Sequence, residues 1–208
     1  TQPTLTIQSK NLKKYFLNTK LIPTELPKLK NLQMNSTDRL IINVMEAVDL
    51  EEARILHNDD STLEWLTDPT HVSPLMQEQW YQEISLSSTS QRYIARLKKD
   101  QTFVGVFRID RMDLRNSSAI VGADVVPELR RQGMATEMFK YFLDYLFRGC
   151  GLNRLGLETL AINTGAIKMY KQLGFKQEGQ LRKAIFRKNM FQELILMGLL
   201  REEWSDMQ

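Results

Sequence analysis

Apolar and polar residues alternate in short runs over much of this chain, and between those runs apolar residues recur at spacings of three and four. A period of two marks strands and a period near 3.6 marks helices. Arg39-Leu40-Ile41-Ile42-Asn43-Val44 reads as a first strand. Ala47 to Asn58 reads as a helix with Val48, Ala53, Ile55 and Leu56 as its buried positions. Ser61 is placed to cap a short helix holding Leu63, Trp65 and Leu66, which Asp68-Pro69 ends. Pro74 to Leu86 forms another, opened by Ser73-Pro74, with Leu75, Gln79, Trp80 and Ile84 on one face.

A hairpin follows: Gln91 to Leu97, a turn at Lys98-Lys99-Asp100-Gln101, and Thr102 to Ile109. Asp110 to Ser117 is a polar loop into a strand from Ser118 to Val126. A helix then runs to Phe147, with Ala135, Met138, Phe139, Phe142, Tyr145 and Leu146 as its buried stripe, and Gly149 stops it. Leu155 to Ala161 is a strand. Asn163 caps a helix reaching Leu173, with Gly174 just past its end. Phe175 to Gln180, Lys183 to Phe186 and Phe191 to Leu200 complete the strands, the last two joined by a turn near Lys188-Asn189. Only two strand–helix–strand crossovers appear, which predicts an α+β fold with a mixed, mostly antiparallel twisted sheet and helices on both faces.

Composition narrows the classes. Residues 1–36 hold six lysines against Glu25, a net of +5, which leaves −2 for the rest of a chain whose total is +3. The part from residue 37 onward is thus a near-neutral domain behind a basic, loosely packed extension, and bulk-charge binding to nucleic acid is not expected. Denser polybasic runs than this mark a membrane anchor. The longest apolar run, Leu194 to Leu200, is too short to span a bilayer. One cysteine, Cys150, excludes an internal disulfide, and its default role is a small buried residue. His57 and His71 stand without partners at metal-ligand spacing, so no metal is expected. No secretory pattern is visible, and a reducing, cytoplasmic compartment is the expectation.

The chemistry concentrates where the strand ending at Val125-Val126 meets Pro127 and the next helix begins near Met134. Unpaired backbone N–H groups and the macrodipole make a helix N-terminus an anion site. Gly133 removes the side chain that would obstruct a ligand, and Arg130 and Arg131 add positive charge. The dinucleotide fingerprint and the nucleotide P-loop are both absent.

Arg130-x-x-Gly133-x-Ala135 resembles the pyrophosphate loop of the GNAT superfamily of N-acetyltransferases. Asn163-x-x-Ala166-x-x-x-Tyr170 followed by Leu173-Gly174-Phe175 resembles that family's second cofactor segment. The resemblance covers roughly residues 38–204. Pro127-Glu128-x-Arg130 and the ending from Ile195 to Trp204 resemble the ribosomal-protein N-acetyltransferase branch.

The resemblance implies transfer of acetyl from acetyl-CoA to a primary amine by direct attack. It implies that backbone groups of Arg131, Gln132, Gly133, Met134 and Ala135 hold the CoA pyrophosphate, and that Val125 and Val126 pair with the pantetheine amides and supply an oxyanion donor. Asn163 reaches the pantetheine arm or simply caps its helix. Tyr170 donates a proton to the departing thiolate or is a core tyrosine. Many relatives carry Glu two residues before the strand glycine; here Ile120 precedes Gly122, which leaves Glu158, Asp124 or ordered water as the base.

The acceptor stays open between a protein α-amine and small amines: polyamine, aminoglycoside or amino acid. Asp59, Asp60, Glu64 and Asp68 suit a polycation or are ordinary surface charges. Dimerisation through the C-terminal strands has the resemblance alone behind it. Two rival readings are a non-catalytic acyl-CoA-binding module and an interaction protein whose turn is empty.

Overall fold

A computed structural model of the chain describes residues 36–205. The basic extension expected over 1–36 lies, but for Ser36, outside them. Seven strands form one sheet in the order β1-β2-β3-β4-β5-β7-β6. They are β1 Leu40–Val44, β2 Gln91–Leu97, β3 Phe103–Asp113, β4 Ser118–Val125, β5 Arg154–Leu160, β6 Lys176–Arg187 and β7 Met190–Leu200. Every neighbouring pair is antiparallel except β4 and β5, which are joined by the crossover helix α4, Met134–Asp144. The α+β expectation holds.

Strand alternation divides the sheet into two unlike faces. Phe107, Ile109, Ala119, Val121, Val125, Leu155, Leu157, Ile195, Met197 and Leu199 point to one side and are buried. α4 lies on them with Met134, Met138, Phe139, Phe142 and Leu143, and a π-turn, Tyr145–Gly149, adds Leu146 and Phe147. Phe107 stacks on Phe142 with centroids 3.9 Å apart, and Phe139 meets Phe107 edge-on at 5.2 Å. Each such ring contributes about 1.5–3 kcal/mol by leaving water.

The opposite face is covered by helices on its β1–β3 side. There α1, Leu50–Asn58, packs Ala53 and Leu56 with Met45, Ile94 and Phe103, and Trp80 and Tyr81 of α3, Pro74–Ser85, pack against that cluster. The remainder of this face carries charged side chains together with Ile120, Leu160 and Leu194, the last two buried.

Several local expectations are corrected. Val48 and Ile55 are exposed, because α1 sits at the margin of the sheet and only its Ala53–Leu56 side meets it. A short 3-10 turn, Ala47–Asp49, precedes α1. Asp59, not Ser61, caps α2, Asp60–Leu63: its carboxylate accepts the Thr62 N–H at 3.0 Å. In α3, Leu75 and Gln79 face outward, and the inner side is Gln77, Trp80 and Ile84. β3 continues through a bulge into the segment expected to be a loop. β6 is one strand through Leu181 and Arg182, because a register shift absorbs the interruption. Cys150 is exposed as a residue, though desolvation of its thiol pushes its pKa up against a hydrogen bond with Tyr145 that lowers it.

Candidate active site

β4 and β5 pair over three positions only, Ser118 with Arg154, Ala119 with Leu155 and Ile120 with Gly156. Beyond that point β4 runs on to Val125 beside β3 alone, and β5 runs on to Leu160 beside β7 alone. The two strands therefore part, and the β5-side edge of β4 has no partner strand from Val121 onward. The Val126 N–H donates to the Val104 carbonyl at 2.9 Å, so it points toward β3. By alternation the Val125 and Ala123 N–H groups point into the split. The Val125 carbonyl accepts from Arg130 Nε at 2.9 Å. Of the two expected strand-end residues, Val125 offers a free backbone donor and Val126 does not.

The turn between β4 and α4 is a short 3-10 segment, Pro127–Leu129, followed by Arg130 to Gly133. Arg131 and Gly133 are left-handed, at φ 59° and 80°, a conformation glycine adopts without strain. The N–H groups of Arg131, Gln132, Gly133, Met134 and Ala135 find no acceptor among the described residues. Arg131 is exposed and forms no ion pair among them. The Arg130 guanidinium is engaged elsewhere: besides Val125 it donates to the Ser61 hydroxyl at 2.8 Å and the Thr62 hydroxyl at 2.6 Å. Arg130 thus ties the turn to α2.

A different cation stands at the turn. Arg39, just before β1, donates to the Gln132 carbonyl at 3.0 Å and to Glu137 at 2.6 Å. Its Nη2 lies 3.4 Å from where a Cβ on Gly133 would be. Glu137 also accepts from the Thr37 hydroxyl and the Arg39 N–H. Burial alone would raise the Glu137 pKa, but these donors outweigh it and hold the carboxyl below its ordinary value.

α5, Thr164–Gln172, approaches from the packed face. Asn163 caps it, its side-chain oxygen accepting the Ala166 N–H at 3.2 Å. This satisfies the Ala166 amide and leaves the Asn163 side-chain NH2 to act outward. Tyr170 is buried, with its ring edge-on to Phe139 at 5.3 Å and to Phe175 at 6.0 Å. Burial pushes its phenol up to about 12, with Arg108 lowering it and Asp124 raising it further. The core and catalytic readings of Tyr170 are compatible, since a ring in the core carries a hydroxyl that senses charges on the far side of the sheet.

Those charges form ion pairs on the open face. Arg92 meets Asp110 at 2.9 Å, Arg108 pairs with Asp124, and Arg111 stands 3.6 Å from Glu158. Gly122, opposite Arg108 in register, admits the guanidinium: a Cβ there would lie 2.6 Å from Arg108 Nε. The Asp124 charge holds the Arg108 pKa above its ordinary value. Ile120 lies over Gly156, its Cδ1 2.8 Å from a would-be Cβ there. Alternation puts Asp124, Ile120 and Glu158 on the same face, on either side of the split.

A family model for the GNAT acetyltransferase domain matches residues 39–176, more than half of the chain. The chain belongs to the GNAT acetyltransferase family. An uncharacterized N-acetyltransferase p20 of Bacillus licheniformis is 25% identical over 174 residues, covering 81% of this chain and 97% of that protein. A spermidine N-acetyltransferase from Vibrio cholerae, solved with CoA and spermine, superposes with a TM-score of 0.77 at 21% identity, over 81% of this chain and 99% of that one. A spermidine/spermine N-acetyltransferase from Vibrio cholerae, solved with manganese ions, gives 0.71 at 21% identity, over 82% of this chain and 97% of that one. The likeness to these solved structures concerns the fold.

This chain is therefore an acetyl-CoA-dependent N-acetyltransferase of the GNAT type. Sequence reasoning missed Arg39, which reaches the turn through Gln132 and Glu137, and Arg108, which meets Asp124 through strand register; neither carries a local motif. The acids expected to draw a polycation are tied down. Asp59 caps α2 and lies 3.9 Å from Arg130, Glu64 pairs with Lys188, and Asp68 accepts from the Thr70 hydroxyl at 2.6 Å. Asp60 is the exception, exposed at the start of α2. A surface cleft of about 760 Å³ between β1 and α1, lined by Asn43, Glu46, Asp49, Glu52 and Arg96, holds none of the residues gathered at the split.

Proposed function

We propose that acetyl-CoA lies in the split between β4 and β5, and that a primary amine enters from the charged face and attacks the thioester directly. The observation that carries this reading is the parting of β4 from β5 after Ile120, with unpaired backbone on one edge and with Arg108 and Asp124 near enough to the buried Tyr170 to act on its phenol. The pyrophosphate meets the N–H groups of Arg131 to Ala135, and the pantetheine amides pair along Ala123 and Val125 as an added strand. The Asn163 amide contacts the same arm.

The amine arrives as an ammonium and loses a proton to Glu158, directly or through water. Asp124 is the less suited base, because Arg108 clamps it. As the C–N bond forms, the thioester oxygen gains charge facing the Val125 N–H. The C–S bond breaks, the thiolate takes the Tyr170 proton, and the phenolate recovers one as the new amide nitrogen gives up its second proton. A phenol held near 12 keeps its proton at neutral pH, and giving it to the thiolate of a thiol of ordinary pKa about 8.5 is uphill, so the transfer is completed by the far more acidic nitrogen that reprotonates the phenolate.

The acceptor is a protein N-terminal α-amine or a small-molecule amine, and the ribosomal-protein branch is the subfamily this reading favours. A cytoplasmic enzyme, a separate basic extension over 1–36 and a homodimer through the C-terminal strands belong to the same proposal. No helix among the described residues is long and apolar enough to cross a membrane.

Ile120 in the place of the family's Glu favours one other reading, a module that binds acyl-CoA without turnover. Thiol release from acetyl-CoA, measured against amines and N-terminal peptides, separates the two. Release above hydrolysis with one acceptor class is the expected result. Stoichiometric CoA binding with no release from any acceptor establishes the binding module instead.

A further inference from the structure

Among the described residues, each carboxylate on the open floor of the split stands beside a guanidinium: Asp110 with Arg92, Asp124 with Arg108 and Glu158 with Arg111. A polycationic acceptor needs carboxylates without partners along its length, and this floor supplies three cations to three anions. The three pairs are not equally tight. Arg92 and Arg108 are in contact with their acids, and Arg92 is largely enclosed, with Trp80 5.6 Å from its guanidinium carbon. Arg111 is 74% exposed and its closest approach to Glu158 is 3.6 Å, beyond hydrogen-bond contact. It sits at the irregularity where the β3–β4 register shifts between Asp110 and Asp113, with a left-handed φ of 49°. Bulges re-aim the side chain they carry. Here the bulge brings an odd-numbered residue of β3 to the acid on the even-numbered face of β5.

We infer that Arg111 and Glu158 together select an acceptor that carries a carboxylate a few bonds from its reactive amine. This inference rests on the acetyl-transfer reading above and names the substrate class for it. Such an acceptor inserts into the loose pair: its ammonium replaces Arg111 beside Glu158, and its carboxylate replaces Glu158 beside Arg111 in the two-pronged geometry a guanidinium favours. One ion pair becomes two, with no charge left uncompensated. Glu158 then holds the amine it deprotonates, and Arg111 sets which amines stay. A free amino acid supplies this chemistry, and so does a peptide whose first side chain is acidic.

The test is thiol release at fixed acetyl-CoA with five acceptors: an amino acid, its amide, spermidine, and two peptides differing only in Asp or Asn at the first position. The carboxylate-bearing member of each pair is expected to exceed its neutral counterpart by about tenfold in kcat/KM, chiefly through KM. Preference for the free amino acid over the Asp peptide assigns the small-molecule source, and the reverse assigns the peptide. Arg111→Gln collapses the ratio of acid to amide toward one, and Arg111→Lys restores part of it. Spermidine as the best acceptor, or an acid-to-amide ratio near one in the wild type, overturns the inference while leaving acetyl transfer standing. Absence of release from all five overturns both.

Discussion

The two faces of the central sheet use the same strands for opposite purposes. On β4, Ala119, Val121 and Val125 are buried under α4, whereas Ile120, Gly122 and Asp124, one residue out of phase, face the open side with Arg108 and Glu158. The packed face is apolar and tolerates little change in volume, because interiors are close-packed. The charged face is held by paired ions and by a glycine that makes room for one of them. Tyr170 packs its ring on the core side, against Phe139 and Phe175, near enough to Arg108 and Asp124 for both charges to act on its phenol. Packing and charge are therefore divided by strand parity.

The comparison predicts different penalties for the two faces. Phe139→Ala, at the centre of the packed face, is expected to lower stability by about 3–5 kcal/mol in denaturant unfolding, since the ring meets Phe107, Tyr170 and Phe175 and leaves a cavity. A loss below about 1 kcal/mol would mean that this face is loosely packed.

Glu137→Gln tests the tie between α4 and the start of β1. Its expected cost is about 1.5–3 kcal/mol near neutral pH, the range for hydrogen bonds to a charged group. Because the folded-state pKa of Glu137 is depressed, its contribution is complete above the ordinary carboxylate pKa and is lost as pH falls through the folded value. The gap between wild type and variant should therefore narrow under acid and stay constant above about pH 6. A gap that widens in acid would reverse the assignment.

Gly122→Ala carries the comparison to the charged face. A Cβ 2.6 Å from Arg108 Nε must push the guanidinium off Asp124, while the packed face is untouched. Turnover is expected to fall about tenfold, worth about 1.4 kcal/mol, with far-UV circular dichroism unchanged. Unaltered turnover would show that the Arg108–Asp124 pair has no part in the reaction.

Most elements were legible because their causes are local. The stripe on α4, the Ser73-Pro74 opening of α3, the Asn163 cap and the Lys188-Asn189 turn are written within a few residues of where they act. What the sequence concealed depends on pairing. Arg130 reads as a phosphate ligand, yet its guanidinium hydrogen-bonds to Ser61 and Thr62, far back in the chain. Arg39 reads as an ordinary strand-edge residue and stands at the turn through Gln132 and Glu137. Asp124 and Glu158 are candidates in any reading, but only the pairing of Ile120 with Gly156 puts them on one face. β6 is an edge strand with scarcely a buried residue, so no apolar alternation marks its middle and its continuity is invisible to pattern.

The central claim is that the split brings a proton donor from the packed face to a thiolate leaving on the other. Tyr170→Phe tests it most directly, with steady-state thiol release and CoA calorimetry on the same preparation. The variant keeps the ring against Phe139 and Phe175 and removes only the hydroxyl. The account predicts that kcat falls about 100-fold while CoA affinity and thermal stability stay close to wild type. An unchanged kcat would contradict it and return Tyr170 to the core alone.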